Sequence, residues 1–128
     1  MRLLLDTHTL FWWLVEKQRL SAVALAAIAS RENEVLVSVA TAWEMAIKVG
    51  IGKWPEAARL VDHFESEVAA ESFRVIAIEI YHARFAGLMS AVHRDPFDRL
   101  LAAQATIESL TLVSSDSNIA SLGAPVLW

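Results

Sequence analysis

Short apolar runs alternate with stretches of helical periodicity along this chain, and this alternation is what most constrains its fold. Five runs have the length and composition of buried strands: RLLLD, VLVSV, FRVIAI, LTLVSSD and APVLW. Between them apolar residues recur at helical spacing, as Leu10, Trp13 and Leu14 do. Strands that alternate with helices are typical of a parallel sheet covered on both faces. We therefore predict an α/β fold around a parallel sheet of four to five strands.

Capping and turn residues mark where several helices begin and end. Ser21 is a suitable N-cap for a helix over 22–30, and Gly50 ends a helix over 40–50. Pro55 suits the first turn of a helix over 55–71. Because no repeat, linker or low-complexity stretch appears, residues 1–128 are predicted to form a single domain.

The composition is that of a globular protein with a substantial core. Hydrophobic residues make up 55% of the 128 positions and charged residues 20%. No run approaches the roughly 18 consecutive apolar residues of a membrane span, and Asp6 and His8 interrupt the apolar opening segment. The absence of cysteine excludes disulfides, thiol nucleophiles and cysteine-bound zinc, and it suits a reducing compartment. We therefore expect a soluble, cytoplasmic protein that makes no membrane contact.

The charge balance argues against a surface that holds nucleic acid by bulk attraction. Acidic residues number 15 and basic residues 11, for a formal net charge of −4. If four of the acids held metal ions, the remaining charges would balance. An RNA substrate is therefore compatible with this composition.

Several types of catalytic site lack a required residue in this sequence. GIGKW has neither the ending nor the preceding strand of a phosphate-binding loop, which disfavours a nucleoside triphosphatase. A receiver domain needs a lysine later than Lys53, and a phosphatase of the haloacid-dehalogenase type needs an acid where His8 stands. The histidines show no metal-ligand spacing and are predicted to be solvated or at the edge of the core; they are His8, His63, His82 and His93.

Two aspartates follow predicted strands directly. Asp6 comes after the first strand and Asp116 just past the fourth, at the carboxyl ends where open parallel sheets bind ligands. Each also has a structural explanation. Asp6 suits a helix N-cap, a role that Thr7 can also fill, and Asp116 suits a turn in which it bonds its own backbone. The sequence leaves both interpretations open.

Glu44 lies inside the predicted helix over 40–50. It stands four residues before Lys48, the order that favours an exposed ion pair on a helix. Its neighbours Trp43 and Met45 are apolar, however, and a carboxylate at the edge of a buried face requires a positive partner. Surface pairing and a role in a site both remain open for Glu44.

The segment HRDPFDR contains two aspartates with different structural explanations. Asp95 is a suitable N-cap with Pro96 at the first helical position, and it stands four residues before Arg99. Asp98 falls at the third helical position, where a capping box normally has Glu or Gln. Asp98 is therefore the acid without a convincing structural role.

Four of these acids together form a candidate metal site: Asp6, Glu44, Asp98 and Asp116. Carboxylates drawn from strand ends and helices of one parallel sheet suit oxygen-preferring cations such as Mg²⁺ or Mn²⁺. Packed together without a cation they would repel and raise one another's pKa.

The first predicted helix is apolar on nearly every side. Phe11, Trp12 and Val15 lie opposite the face formed by Leu10 and Trp13. Both sides of such a helix must be covered. Either the core covers both, or the core covers one side and a homodimer or protein partner covers Trp12 on the other.

Five ordered blocks of the sequence resemble a known family. LLLDTHTLFWWL, SVATAWEMAIKVGIGK, HRDPFDRLLAAQA, TLVSSD and GAPVLW resemble a bacterial PIN-domain protein of the VapC toxin type, over essentially the whole chain. The resemblance implies a PIN-like three-layer α/β/α sandwich with a central parallel sheet. It also implies a Mg²⁺- or Mn²⁺-dependent endoribonuclease, commonly the toxin of a type II toxin–antitoxin pair.

The resemblance assigns roles to particular residues. The catalytic, metal-binding acids carry over to Asp6, Glu44, Asp98 and Asp116, which would hold one or two ions. Thr7 and Ser114 match hydroxyl positions that support the site, and Asp95 and Arg99 belong to the motif of this subgroup. Candidate contacts to RNA phosphates are Lys48, Lys53, Arg94 and Arg99. Many relatives have threonine at position 114 and an aromatic residue at position 119, where this chain has Ser114 and Ile119.

Expected partners also follow from the resemblance. RNA is the expected substrate, cleaved to leave a 3′-hydroxyl and a 5′-phosphate. A cognate antitoxin is expected, with DNA contacted only through it, and the apolar first helix adds the expectation of a homodimer. The alternative is a non-catalytic PIN-like protein-binding module that acts through its apolar helices, and it predicts that the four carboxylates do not converge.

Overall fold

The computed structural model describes residues 1–90 and 92–128, which form a five-stranded parallel sheet with eight α helices. The strands are β1 (Arg2–Leu5), β2 (Glu34–Ser38), β3 (Arg74–Ile76), β4 (Thr111–Val113) and β5 (Val126–Leu127). The helices are α1 (Thr7–Val15), α2 (Ala22–Ala29), α3 (Val39–Gly50), α4 (Ala58–Asp62), α5 (Phe64–Ala70), α6 (Ile80–Leu88), α7 (Pro96–Ile107) and α8 (Ser117–Ala120). The predicted α/β/α architecture is confirmed.

The strand order places β1 at the centre of the sheet. The order is β3-β2-β1-β4-β5, and every neighbouring pair is parallel. The chain builds outward from β1 through β2 and β3, then crosses back to add β4 on the other side of β1. Such a reversal creates a crevice at the carboxyl ends of the two strands that flank it. The residues that follow β1 and β4 are therefore placed side by side.

Both faces of the sheet are buried, which explains why the strands read as unbroken apolar runs. Leu3 and Leu5 pack in one core cluster with residues of α1 and α2. Leu4 points the other way and packs in a second cluster with residues of α7. All three leucine side chains have 0% exposure, as expected for the central strand of a sheet covered on both faces.

Side-chain caps fix where the helices around the crevice begin. Ser21 accepts a hydrogen bond from the N–H of Ala24 at 3.0 Å, which confirms the predicted start of α2. Ser38, the last residue of β2, caps α3 through the N–H of Ala40 at 3.0 Å. Strand and helix thus meet without a loop, and α3 begins at the carboxyl edge of the sheet.

One predicted helix is divided in the structure, and another ends where the sequence predicted. The predicted helix over 55–71 is divided into a 3₁₀ turn, Pro55–Ala57, followed by α4 and α5. His63 breaks it with φ −121° and ψ 28°, and this bend lets Leu60 and Phe64 both enter the first core cluster. α3 ends at Gly50 as predicted, and the left-handed backbone of the following turn lies at Gly52, with φ 77°.

His82 is buried, with 1% exposure, and is not a solvated histidine. Its Nδ1 accepts a hydrogen bond from the N–H of Glu79 at 2.9 Å, so it forms a capping box at the start of α6. Its Nε2 lies 2.9 Å from Oε1 of Glu108.

None of the helices formed by residues 1–90 and 92–128 is long and apolar enough to cross a membrane.

A buried glutamine ties three elements together beneath the carboxyl edge of the sheet. Gln104 of α7 has 0% exposure, and its Oε1 accepts a hydrogen bond from the Ser38 hydroxyl at 2.6 Å. Its Nε2 donates to the carbonyl oxygen of Ala77, just after β3, at 3.1 Å. The end of β2, the segment after β3 and α7 are therefore fastened to one side chain.

We predict that Gln104→Met lowers the free energy of unfolding by about 2 kcal/mol, because it leaves the buried Ser38 hydroxyl without its acceptor and removes the donor to the Ala77 carbonyl. The measurement is urea denaturation, with the exposed Gln18→Met as the matched control. Equal stability of the two variants would show that the Gln104 hydrogen bonds do not hold the edge of the sheet together.

Candidate active site

A cavity of about 700 Å³ lies at the carboxyl edge of the sheet, beside the ends of β1 and β4. The four predicted metal-binding acids all line it: Asp6, Glu44, Asp98 and Asp116. They come from the residue after β1, from α3, from the first turn of α7 and from the segment after β4. All four carboxylates therefore line one cavity.

Asp6 is both a helix cap and a lining residue of the cavity. Its Oδ1 accepts the N–H of Thr9 at 2.7 Å, and the side chain is only 8% exposed. Its Oδ2 accepts a short hydrogen bond from the hydroxyl of Ser114. Because Ser114 Oγ also accepts the N–H of Asp116 at 3.1 Å, one hydroxyl connects the acids that follow β1 and β4.

Asp116 also has the local role that its sequence context indicated. Its Oδ1 accepts the N–H of Asn118 at 2.8 Å and caps the short helix α8, which was not predicted. The residue is exposed at the mouth of the cavity. The cap and the cavity position are compatible, since a carboxylate has about four lone-pair sites.

Glu44 is a buried carboxylate with two partners. Thr7 donates its hydroxyl to Oε1 at 2.6 Å, and Lys48 Nζ lies 2.8 Å from Oε2. The predicted i, i+4 ion pair is present, but Glu44 is only 6% exposed, so it is not a surface pair. A buried charge with a cation and a hydroxyl at hydrogen-bond distance is held in a defined orientation.

The two aspartates of HRDPFDR have separate roles. Asp95 Oδ1 accepts the N–H groups of Phe97 at 2.9 Å and Asp98 at 3.2 Å, so Asp95 is the N-cap of α7. The Asp98 carboxylate instead has its Oδ2 2.7 Å from Nε2 of His93. Asp98 is thus the acid that the helix does not use for its own start, as predicted.

The environment of Asp98 favours its protonated form. Burial raises the pKa of Asp98 from 3.8 to about 6; the hydrogen bond from His93 lowers it, and the nearby charges of Asp95 and Glu44 raise it further. Burial makes the largest contribution, and the repulsion expected between neighbouring carboxylates adds to it. A cation among these groups would relieve it.

Arg99 organises the segment that precedes α7. Its guanidinium donates to the carbonyl oxygens of His93 at 3.0 Å, Ala86 at 3.2 Å and Met89 at 3.0 Å. These bonds hold the end of α6 and the backbone of His93, whose imidazole contacts Asp98. Arg99 therefore positions the His93–Asp98 contact and does not line the carboxylate cavity.

The other predicted phosphate contacts are distributed unevenly. Lys48 lines the carboxylate cavity, whereas Lys53 is exposed outside it. Arg94 is exposed and lines a separate cavity of about 330 Å³ beside α6 and α7. Of the four basic residues proposed from the sequence, the structure brings Lys48 to the acids.

The donor set suits a hard divalent cation. Carboxylate oxygens are the preferred ligands of Mg²⁺ and Mn²⁺, and four such groups face one cavity. Each carboxylate is directed at a protein donor, and among residues 1–90 and 92–128 no three His, Asp or Glu side chains are placed as a ready-made metal cluster. To share an ion, Asp6, Glu44 and Asp98 would have to exchange these protein donors for the cation.

An aromatic wall, which the sequence analysis did not identify, lines the same cavity. We use this name for His8, Trp12 and Trp54. The His8 and Trp54 rings are stacked, with centroids 4.9 Å apart and planes 26° apart, and Trp12 lies 5.7 Å from His8. The signal available in the sequence was the i, i+4 spacing of His8 and Trp12, which places both rings on one face of α1.

Known proteins are similar to this chain over most of its length. The PIN domain family model matches residues 3–125. Ribonuclease VapC22 of Mycobacterium tuberculosis (strain ATCC 25618 / H37Rv) is 29% identical over 127 residues, which cover 92% of this chain and 89% of that protein.

Solved structures share the fold at lower identity. One is VapBC2 from Rickettsia felis, in complex with a DNA fragment from the promoter of VapBC2. It has a TM-score of 0.70 at 14% identity, and the match covers 99% of this chain and 98% of that chain. FitAcB from Neisseria gonorrhoeae has a TM-score of 0.69 at 19% identity, over 98% of this chain and 96% of that chain.

We predict that Asp98→Asn raises metal-free stability at pH 7.5. Because the pKa of Asp98 in the fold is raised to about 6, wild-type stability falls as pH rises from about 4 to about 6. The raised pKa corresponds to about 3 kcal/mol before solvent screening, and for a partly exposed group we expect about 1 kcal/mol. Asparagine keeps a hydrogen-bonding partner for His93.

The measurement is thermal unfolding in EDTA across pH 4 to pH 8. The stability difference between wild type and Asp98→Asn should be absent near pH 4, grow between about pH 4 and pH 6, and be complete above about pH 6. A variant that is clearly less stable than wild type at pH 7.5 would indicate that the Asp98 carboxylate supports the fold.

Proposed function

Because the chain belongs to the PIN domain family, we propose that it is a metal-dependent endoribonuclease and the toxin of a type II toxin–antitoxin system. The observation that carries this proposal is the convergence of four carboxylates on one cavity at the carboxyl edge of the sheet. Similarity to Ribonuclease VapC22 supports RNA as the substrate. The proposal treats residues 1–128 as a single PIN-like domain and implies a cytoplasmic protein, because its RNA substrate is there.

Four acids hold the metal in this proposal. Asp6, Asp98 and Asp116, with Glu44 directly or through water, bind one or two Mg²⁺ or Mn²⁺ ions. Their placement after β1, on α3, in the first turn of α7 and after β4 supports this, since these positions all line one cavity at the edge of the sheet. Held by these acids, a metal ion would supply an activated water as the nucleophile and positive charge beside the leaving oxygen.

Neighbouring side chains hold these carboxylates in orientation. Ser114 donates to Asp6, and Thr7 donates to Glu44. Lys48 compensates the buried charge of Glu44, and His93 meets Asp98. Partners of this kind orient metal ligands, and their loss typically costs about 10- to 100-fold in metal affinity or activity.

We predict that Asp98→Asn reduces RNA cleavage by at least about 100-fold, because a ligand should matter more than the groups that orient it. Asp95→Asn should stay within about tenfold of wild type, since asparagine is an equally good N-cap. Cleavage of a labelled RNA with Mg²⁺ or Mn²⁺ measures both, with the exposed and distant Asp62→Asn as a third variant. The expected products carry a 3′-hydroxyl and a 5′-phosphate, and EDTA should stop the reaction.

Full activity of Asp98→Asn would contradict the assignment of this acid. Equal losses in Asp95→Asn and Asp98→Asn would show that the start of α7, and not one carboxylate, is what the reaction requires.

We also propose a homodimer and a cognate antitoxin as protein partners, with DNA contacted only through the antitoxin. VapBC structures share this fold, and one of them is bound to a promoter DNA fragment. An exposed apolar stripe runs along α3 and its end at a spacing of four residues; its members are Val39, Trp43, Ile47 and Ile51, with exposures of 40%, 54%, 39% and 61%. We assign this stripe to the homodimer.

Trp12 is not the best candidate for that contact. Its ring is half-buried, lies 5.9 Å from Trp128 and faces the carboxylate cavity. The core and the cavity account for Leu10, Trp13 and Trp12, whereas Val15 at the end of α1 is 57% exposed.

We predict that Ile47→Glu shifts the protein from dimer to monomer, because it places a charge in the middle of the apolar stripe. Light scattering after size-exclusion chromatography measures the mass. Val23→Glu on α2, with 55% exposure of Val23, is the matched control and should stay dimeric. A wild-type monomer, or a dimer unaffected by Ile47→Glu, would contradict the assignment of this surface.

A further inference from the structure

A lysine ammonium lies inside the carboxylate cavity, against one of the four candidate metal ligands. Lys48 Nζ is 2.8 Å from Oε2 of Glu44, whose side chain is only 8% exposed. Arg19 also lines the cavity, but it pairs with Glu16 at 3.7 Å and its side chain is 57% exposed. Among the residues that the structure describes, Lys48 is therefore the permanent cation in contact with these four acids.

The fold holds the Lys48 ammonium in place from two sides. The carbonyl oxygen of Lys48 accepts the N–H groups of Lys53 at 2.8 Å and Trp54 at 3.2 Å, so the turn after α3 folds back on this residue. Gly52 supplies the left-handed backbone of that turn, with φ 77°. The Trp54 ring then lies 5.7 Å from Lys48 Nζ, within reach of a cation–π contact. The ammonium is thus held between a carboxylate and a ring.

Glu44 has protein donors at both of its oxygens. Thr7 donates its hydroxyl to Oε1 at 2.6 Å, and Oε2 faces the Lys48 ammonium. Asp98 and Asp116 each use one oxygen for a protein partner, and the described residues place no donor on the other. A cation that bound Glu44 directly would therefore have to displace Lys48 or lie beside its positive charge.

The distribution of charge favours a single divalent ion. Lys48 already compensates Glu44, so the uncompensated charge of the four acids lies on Asp6, Asp98 and Asp116. The donors to Asp6 are a backbone N–H and a hydroxyl, which are neutral and repel no cation. A second ion would gain only Glu44 as a new ligand. It would also meet the Lys48 ammonium in a partly buried site, where like charges repel more strongly than in water.

We propose that Lys48 takes the place of a second metal ion, so that the site holds one Mg²⁺ or Mn²⁺ ion on Asp6, Asp98 and Asp116. Lys48 is a positioning residue that acts through Glu44. It neutralises this carboxylate and keeps it from binding the ion directly, so Glu44 acts through water. The proposal deepens the proposed ribonuclease function and rests on it.

The test counts the Mn²⁺ ions that the purified chain binds, without RNA. Mn²⁺ is titrated at pH 7.5; the EPR signal of the free ion gives the number bound and Kd, and magnetic coupling between bound ions reports a pair. Lys48→Met keeps most of the side chain without its charge, and Lys48→Arg restores the charge. Lys53→Met, at an exposed lysine outside the cavity, is the matched control.

We expect one bound ion in wild type, in Lys48→Arg and in Lys53→Met, and two coupled ions in Lys48→Met. The double variant Glu44→Gln/Lys48→Met removes the pair as a unit. It should again bind one ion, at most about tenfold more weakly than wild type. In EDTA, Lys48→Met should lower the melting temperature, because it leaves the buried Glu44 charge alone. Mn²⁺ should then raise the melting temperature of Lys48→Met by more than it raises that of wild type.

Two ions in wild type, or a folded Lys48→Met that binds a single ion, would overturn the role of Lys48 and leave the metal-dependent function standing. A double variant that loses Mn²⁺ binding as completely as Asp98→Asn would also overturn it, because Glu44 would then be a direct ligand. No Mn²⁺ binding to any of these proteins would contradict the proposed function, and with it the role of Lys48.

Discussion

Burial of carboxylates at one edge of the sheet is the constraint on which this structure depends. Four acids face a single cavity, and burial, with a smaller contribution from the charges of Asp95 and Glu44, raises the pKa of Asp98. The fold meets this constraint with donors specific to each group. Asp6 receives a backbone N–H and the Ser114 hydroxyl, while Glu44 receives Thr7 and Lys48. The site is thus held by local hydrogen bonds in a topology that brings the acids together.

The topology itself comes from burial on both faces of β1. Leucines that point alternately into two core clusters make β1 the central strand, and the return of the chain to β4 opens the crevice beside it. Gln104 then fixes α7 against the ends of β2 and β3. Because α7 carries Asp98 in its first turn, the position of this acid follows from buried contacts that are far from it in sequence.

Much of this arrangement could be predicted from the sequence, because it depends on local patterns. The apolar runs identified the strands, and the count of helix positions separated Asp95, the cap, from Asp98. Contacts between distant segments could not be predicted in this way. Thr7 meets Glu44 across 37 residues, and Trp54 reaches His8 from a loop that periodicity does not place. The break at His63 was missed because helix propensity does not register the demands of core packing.

The central claim is that Asp6, Glu44, Asp98 and Asp116 act together as a metal site. Calorimetric titration of the purified chain with Mn²⁺ tests this claim directly, without RNA or a partner. The account predicts saturable binding of one or two ions, accompanied by proton release near pH 6 and greatly weakened by Asp98→Asn. An absence of binding at millimolar Mn²⁺, or binding that Asp98→Asn leaves unchanged, would contradict it.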